Sequence, residues 1–143
     1  MKRIALFMSI AMLAFGMLSC GGSTEKKNSI SENVDIEVTA KVMVYYFHGK
    51  KRCKTCITIQ EVAAKTIMEN FADNTDVKFL EIDFSEKANE ELAEKYEVAS
   101  SSLIIVSVNE HIDLTSTAFA NAVRNPEILN ETIVSEINNF LNK

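Results

Sequence analysis

From Val38 onward the chain alternates between two hydrophobic patterns. Lys41 to Phe47 (KVMVYYF) is an apolar run rich in β-branched and aromatic residues, which predicts a buried strand. Gly49, Lys50, Lys51 and Arg52 break it. From Cys56 to Phe71 the period changes: Ile59, Ala63, Ile67 and Phe71 recur at four-residue steps with Val62 alongside, the stripe of an amphipathic helix. Asp73 and Asn74 close it, and Val77 to Asp83 (VKFLEID) predicts a second strand. A charged helix is expected from Glu86 to Glu97, with Ala88, Leu92 and Tyr96 on its inner face. Leu103 to Val108 is apolar without interruption, as in a central strand. Asn109 and Glu110 predict a tight turn, with His111 to Thr115 returning antiparallel. Phe119 to Arg124 predicts a short extra helix. The last helix opens at Asn125-Pro126, where Pro126 suits a first turn, and Ile128, Leu129, Ile133, Ile137 and Phe140 or Leu141 give it an apolar face.

The element order β-α-β-α-β-β-α places the chain in the α/β class, with a central mixed sheet flanked by helices. Helices between the early strands predict right-handed parallel crossovers, and the short Asn109-Glu110 connection predicts a terminal hairpin. A chain of 143 residues fits one domain plus a targeting segment, and buries enough core to fold without a disulfide scaffold. The net charge of −5 argues against nucleic acid as a partner, since it implies no basic face. Gly-rich phosphate loops, nucleophile elbows and zinc-protease helices are absent from the sequence, so no cofactor is expected. A monomer is expected.

Residues 1–20 carry an export pattern. Lys2 and Arg3 precede an apolar run from Ile4 to Leu18, which is shorter than the roughly 20 residues needed to span a bilayer. Ser19-Cys20-Gly21 follows at once. A cysteine at that boundary resembles the lipobox of bacterial lipoproteins, a resemblance that implies lipidation of Cys20 and its place as first mature residue. Ser19 suits the pattern, whereas Met17 stands where leucine is usual. An ordinary secretory leader with an incidental cysteine, or a core helix, is the alternative. Gly21 to about Glu32 is rich in Gly, Ser, Lys, Glu and Asn, and residues 21–37 are expected to form a flexible tether. The domain, residues 38–143, is thereby expected in the bacterial cell envelope, lipid-anchored and facing the periplasm. There thiols meet oxidants rather than the glutathione pool, so a surviving dithiol needs a purpose or a reductant.

That dithiol is Cys53-Lys54-Thr55-Cys56, which follows a predicted strand and opens a predicted helix. A cysteine at a helix start faces unpaired backbone N–H groups and the positive end of the dipole, both of which favour thiolate over thiol. Lys50, Lys51, Arg52 and Lys54 add the same bias, and such settings bring a cysteine well below its free pKa. Cys53 is expected to attack and Cys56 to resolve, the two intervening residues letting the second sulfur reach back. Two other readings remain open. With His48 and one further ligand the pair can form a zinc site, and as a static bond it closes too small a loop to stabilise much. His48 lies close to the pair as a candidate proton donor or thiolate partner, or simply as a polar strand end. His111 is expected on the surface and Asp83 as a loop acid.

These features together resemble the thioredoxin-like superfamily over Val38 to Lys143. KVMVYYF, CKTC, VKFLEID, Lys95-Tyr96-Glu97-Val98 and LIIVSV carry the likeness. More narrowly, VYYFHGKKRCKTC and EVASSSLIIV look like bacterial thioredoxin-like proteins described as a nitrophenyl-compound nitroreductase subunit, a likeness of kinship rather than reaction. The resemblance implies a thiol–disulfide oxidoreductase acting on a protein thiol or disulfide through Cys53 and Cys56. The alternative is an electron-transfer or thiophilic metal- or metalloid-binding module serving a partner reductase. A third possibility is a structural lipoprotein whose redox role has lapsed.

Arg52 replaces the family's usual Trp, and Lys54-Thr55 its Gly-Pro. The family's buried acid would fall at Tyr46 or Phe47, and its cis-proline at Ser101 or Ser102. The serine pair still offers backbone groups to a partner strand and hydroxyls to a thiolate.

Overall fold

In a computed structural model of the chain, residues 40–143 are described. The leader, Cys20 and residues 21–37 of the tether lie outside them. The centre of the sheet is β1 (Val42–His48), in which Val42 through Phe47 are all buried. Their side chains alternate between two faces, and both faces are covered, which is why the run is apolar at every position. Val42, Val44 and Tyr46 face one cluster, and Met43, Tyr45 and Phe47 the other.

On one side of β1 lies β2 (Val77–Asp83), parallel and paired from Val42↔Val77 to His48↔Asp83. On the other side β3 (Ser102–Ser107) runs antiparallel, with Ser102 opposite Phe47, and β4 (His111–Asp113) returns antiparallel to β3. The sheet order is β2-β1-β3-β4. The expected terminal hairpin is present, though its second strand stops at Asp113, where the Asp113 carboxylate accepts from the Thr115 N–H and turns the chain.

Between β1 and β2 runs α1 (Lys54–Phe71), making the expected parallel crossover. The second expected parallel crossover does not occur. Its connection holds only a 3₁₀ turn (Lys87–Asn89) and the short α2 (Glu90–Lys95), in place of one helix from Glu86 to Glu97. Length explains this correction. The 18 residues of α1 advance about 27 Å, enough to return along a strand. The six of α2 advance about 9 Å and the 3₁₀ turn about 6 Å, against roughly 23 Å for the seven residues of β2. The chain therefore enters β3 from the end at which it left β2.

Leu92 and Tyr96 pack on the sheet as expected, but Ala88 is exposed, because the 3₁₀ turn rotates it off the α2 register. A left-handed residue terminates α2. Glu97 has φ 53°, its N–H donates to Glu94 and the Val98 N–H to Ala93, the double bond pattern that closes a helix with a residue of positive φ. Glycine is the residue suited to this place. Glu97→Gly is expected to raise unfolding stability by about 0.5–1 kcal/mol in a urea titration, and no gain would mean that the Glu97 side chain supplies an offsetting contact.

The helix-rich face of the sheet is covered by α1, by α3 (Thr115–Asn121) and by α4 (Pro126–Leu141). The extra helix forms four residues earlier than Phe119, starting where Asp113 turns the chain. Ile59, Ala63, Ile67 and Phe71 of α1 meet Leu129, Ile133 and Ile137 of α4, with Ala118 and Ala122 beside them. Ile128, expected on this apolar face, is 48% exposed, since it lies one helical step beyond the Leu129-Ile133-Ile137 line. The smaller opposite cluster lies under α2. Among the described residues no helix is long and apolar enough to cross a membrane.

Candidate functional site

The chain leaves β1 at His48 and passes the ring of Phe84 at Gly49, where a Cβ would stand 3.2 Å from the ring edge. Three cationic residues, Lys50, Lys51 and Arg52, then lead to Cys53 and α1. The helix begins at Lys54, two residues before the apolar stripe suggested, because Cys53 is its N-cap. Cys53 has extended backbone angles, and its sulfur accepts a hydrogen bond from the Cys56 N–H at 3.1 Å. That is the geometry in which an N-cap side chain satisfies one of the first four unpaired N–H groups of a helix. Sulfur is an unusual occupant of this place, and a negatively charged sulfur fits it better than a neutral one.

Cys53 and Cys56 form a disulfide with their Cα atoms 5.1 Å apart. The two sulfur-bearing residues differ in access: Cys53 is exposed, while Cys56 is 8% exposed and belongs to the core. Position in the helix causes the difference. Cys53 precedes the first turn, and Cys56 lies about one turn before Ile59 and two before Ala63 on the buried face of α1.

Beneath the pair lies Tyr46, fully buried, whose hydroxyl donates to the Cys56 carbonyl at 2.6 Å. Tyr46 lies on the α1 face of the sheet, and Phe47 points to the opposite cluster. Burial pushes the Tyr46 phenol up, opposed by the side chains of Ser101 and Arg52. Ser101 immediately precedes β3, at the end of the sheet where β1 ends. Ser102 pairs with Phe47 in the ladder, and its hydroxyl donates to the Ser100 carbonyl at 3.0 Å.

Arg52 carries its guanidinium over the Tyr46 ring, 5.7 Å from the centroid, and donates to Glu81 at 2.8 Å and to Gln60. His48 reaches the same Glu81 oxygen through Nε2 at 3.1 Å, while its Nδ1 lies 3.2 Å from the Gly49 carbonyl. Both ring nitrogens thus face oxygen acceptors. Lys50, Lys51 and Lys54 are exposed, Thr55 is half-buried, and none of the three lysines forms an ion pair among the described residues. Asp83 accepts from the backbone and hydroxyl of Ser85, bonds that hold its carboxyl below the usual range and make it a turn residue. His111 is exposed against the edge of Tyr96. Among the described residues no group of three or more His, Cys, Asp or Glu side chains is placed to hold a metal ion.

Of the residues singled out in the sequence, Cys53, Cys56, Arg52, His48, Ser101 and Ser102 lie at the end of the sheet where β1 leaves and β3 enters. Sequence reasoning missed Glu81 and Gln60. A signal for Glu81 existed: Val77, Phe79 and Glu81 share one face of β2 by their period of two, and an acid there breaks an apolar series beneath a helix. Gln60 had none, because a glutamine on a helix flank is ordinary until its partner is known.

The chain matches no family model, and no curated protein matches it. Among solved structures it is similar to a malarial protein, 23% identical with a TM-score of 0.39, over 59% of this chain and 94% of that one.

Proposed function

We propose that this chain is a thioredoxin-like thiol–disulfide oxidoreductase, tethered through a lipid on Cys20 in the bacterial envelope, facing the periplasm and acting on a protein partner. The carrying observation is the asymmetry of the dithiol: an exposed Cys53 capping a helix with its sulfur, and a buried Cys56 one turn inward. The sheet order β2-β1-β3-β4, with β2 parallel and β3 antiparallel to β1, supports the superfamily resemblance. Kinship with the bacterial nitrophenyl-compound nitroreductase subunits belongs to the same proposal.

In the reducing direction, the Cys53 thiolate attacks one sulfur of a partner disulfide. A bond forms between Cys53 and that sulfur, and the partner's other sulfur leaves as a thiolate and takes up a proton. Cys56 then loses its proton and attacks the Cys53 sulfur, which releases the partner's second thiolate. Two electrons have passed to the partner, and Cys53–Cys56 is left oxidised. The reverse sequence oxidises a partner dithiol. The Cys56 N–H that donates to the Cys53 sulfur stabilises it both as attacking thiolate and as leaving group.

Cys56→Ser tests this directly, since it permits the first step and blocks the second. Expressed in its native envelope, the variant is expected to accumulate a recurring protein adduct that reductant releases and that Cys53→Ser abolishes. Absence of any such adduct, under both oxidising and reducing conditions, would overturn the proposal.

A further inference from the structure

Glu81 lies beside Tyr46 across the parallel β1–β2 pair, and so on the α1 face of the sheet. Three donors converge on its carboxylate: Arg52 at 2.8 Å, His48 Nε2 at 3.1 Å, and the Gln60 amide. Gln60 also accepts from the second guanidinium nitrogen of Arg52, which closes a ring of Arg52, Glu81 and Gln60. The remaining Arg52 nitrogen, Nε, is buried without a hydrogen-bond partner. Every hydrogen bond that Arg52 makes among the described residues therefore points to β2 or α1.

Arg52 is the residue immediately before Cys53. A cation so placed favours the thiolate, and a carboxylate 2.8 Å from the guanidinium cancels much of its field at the sulfur. The other charges around the loop are Lys50, Lys51 and Lys54, all exposed and open to screening by salt, with His48 and Asp83 at the strand ends. Arg52 is the less exposed cation, held over Tyr46, whose hydroxyl meets the Cys56 carbonyl. We propose that Glu81 is a positioning residue that holds Arg52 against Tyr46 and offsets its charge, and thereby sets the thiolate fraction of Cys53. This rests on the reading of Cys53 as the attacking thiol.

Four variants of the whole chain test it: Glu81→Gln, Arg52→Gln, the double variant and Arg52→Lys. The readouts are the ultraviolet titration of the Cys53 thiolate in the reduced protein and its alkylation rate at a pH below the titration midpoint. Glu81→Gln frees the Arg52 charge and is expected to move the midpoint to lower pH, with alkylation about threefold faster. Arg52→Gln leaves the carboxylate unopposed and is expected to move the midpoint up, with alkylation about threefold slower. The double variant and Arg52→Lys are expected near wild type. Two midpoints that stay put, or shift in the same direction as a mere loosening of the loop would shift them, overturn the assignment of Glu81. If wild-type Cys53 itself titrates as a free cysteine does, the reactive-dithiol reading falls and the role of Glu81 falls with it. A depressed wild-type midpoint with unmoved variants removes the role of Glu81 alone.

Discussion

In the reduced protein, Cys53 is expected to be alkylated on the order of 100 times faster than Cys56 at neutral pH. Two independent causes act in the same direction. Cys53 is exposed and precedes the helix, whereas Cys56 is 8% exposed under the first turn, so a reagent reaches one sulfur freely and the other only after local opening. The Cys56 N–H aimed at the Cys53 sulfur also enriches Cys53 in thiolate, the only reactive form, and among the described residues no hydrogen-bond donor serves the Cys56 sulfur. Timed alkylation followed by peptide mapping measures both rates in one sample. Equal rates would remove the assignment of attacking and resolving roles. A slower Cys53 would reverse it.

The dithiol at a helix start was legible in the sequence, because it depends on local order along the chain: strand, polar break, cysteine, two residues, cysteine, amphipathic helix. What the pattern did not disclose was the manner of connection. The stretch from Phe84 to Ser101 looks helical by composition, yet its helix is too short to carry the chain back along the sheet, and a direction of β3 follows from that length. No glycine marks the end of α2, since Glu97 takes the left-handed conformation itself. The polar surroundings of the dithiol were half legible for a related reason. Arg52 and His48 are adjacent to Cys53 in sequence and were found by proximity. Glu81 and Gln60 come from β2 and from two turns into α1, and they meet Arg52 only once β2 is placed beside β1.

Tyr46 joins the core to the site, and two substitutions there separate its contributions. Tyr46→Ala empties a fully buried aromatic position between α1 and the centre of the sheet, next to Val44 and Leu103. Such a change costs about 3–5 kcal/mol, which is comparable with the whole stability of a small domain, typically about 5–15 kcal/mol. The variant is expected to unfold at much lower denaturant or to be partly unfolded as isolated. Tyr46→Phe keeps the ring and removes only the hydroxyl. The Cys56 carbonyl retains its place in the α1 ladder, so the loss is a net hydrogen bond of about 1 kcal/mol. The hydroxyl contributes to the pH dependence as well, which Tyr46→Phe isolates by comparison with wild type. Burial raises the Tyr46 phenol above its ordinary 10.0, so the folded state holds that proton more tightly than the unfolded chain. The corresponding stability is present below pH 10 and is lost as pH rises through the raised value. Unfolding of the oxidised protein, measured between neutral and strongly alkaline pH, is expected to show a shallower alkaline loss in Tyr46→Phe than in wild type. The residual loss comes from Tyr45, which burial also raises. If Tyr46→Phe falls as steeply as wild type, the phenol does not hold its proton more tightly in the fold. If it destabilises as much as Tyr46→Ala, the hydroxyl on the Cys56 carbonyl outweighs the packing of the ring, and the first turn of α1 is held to the sheet by that single bond.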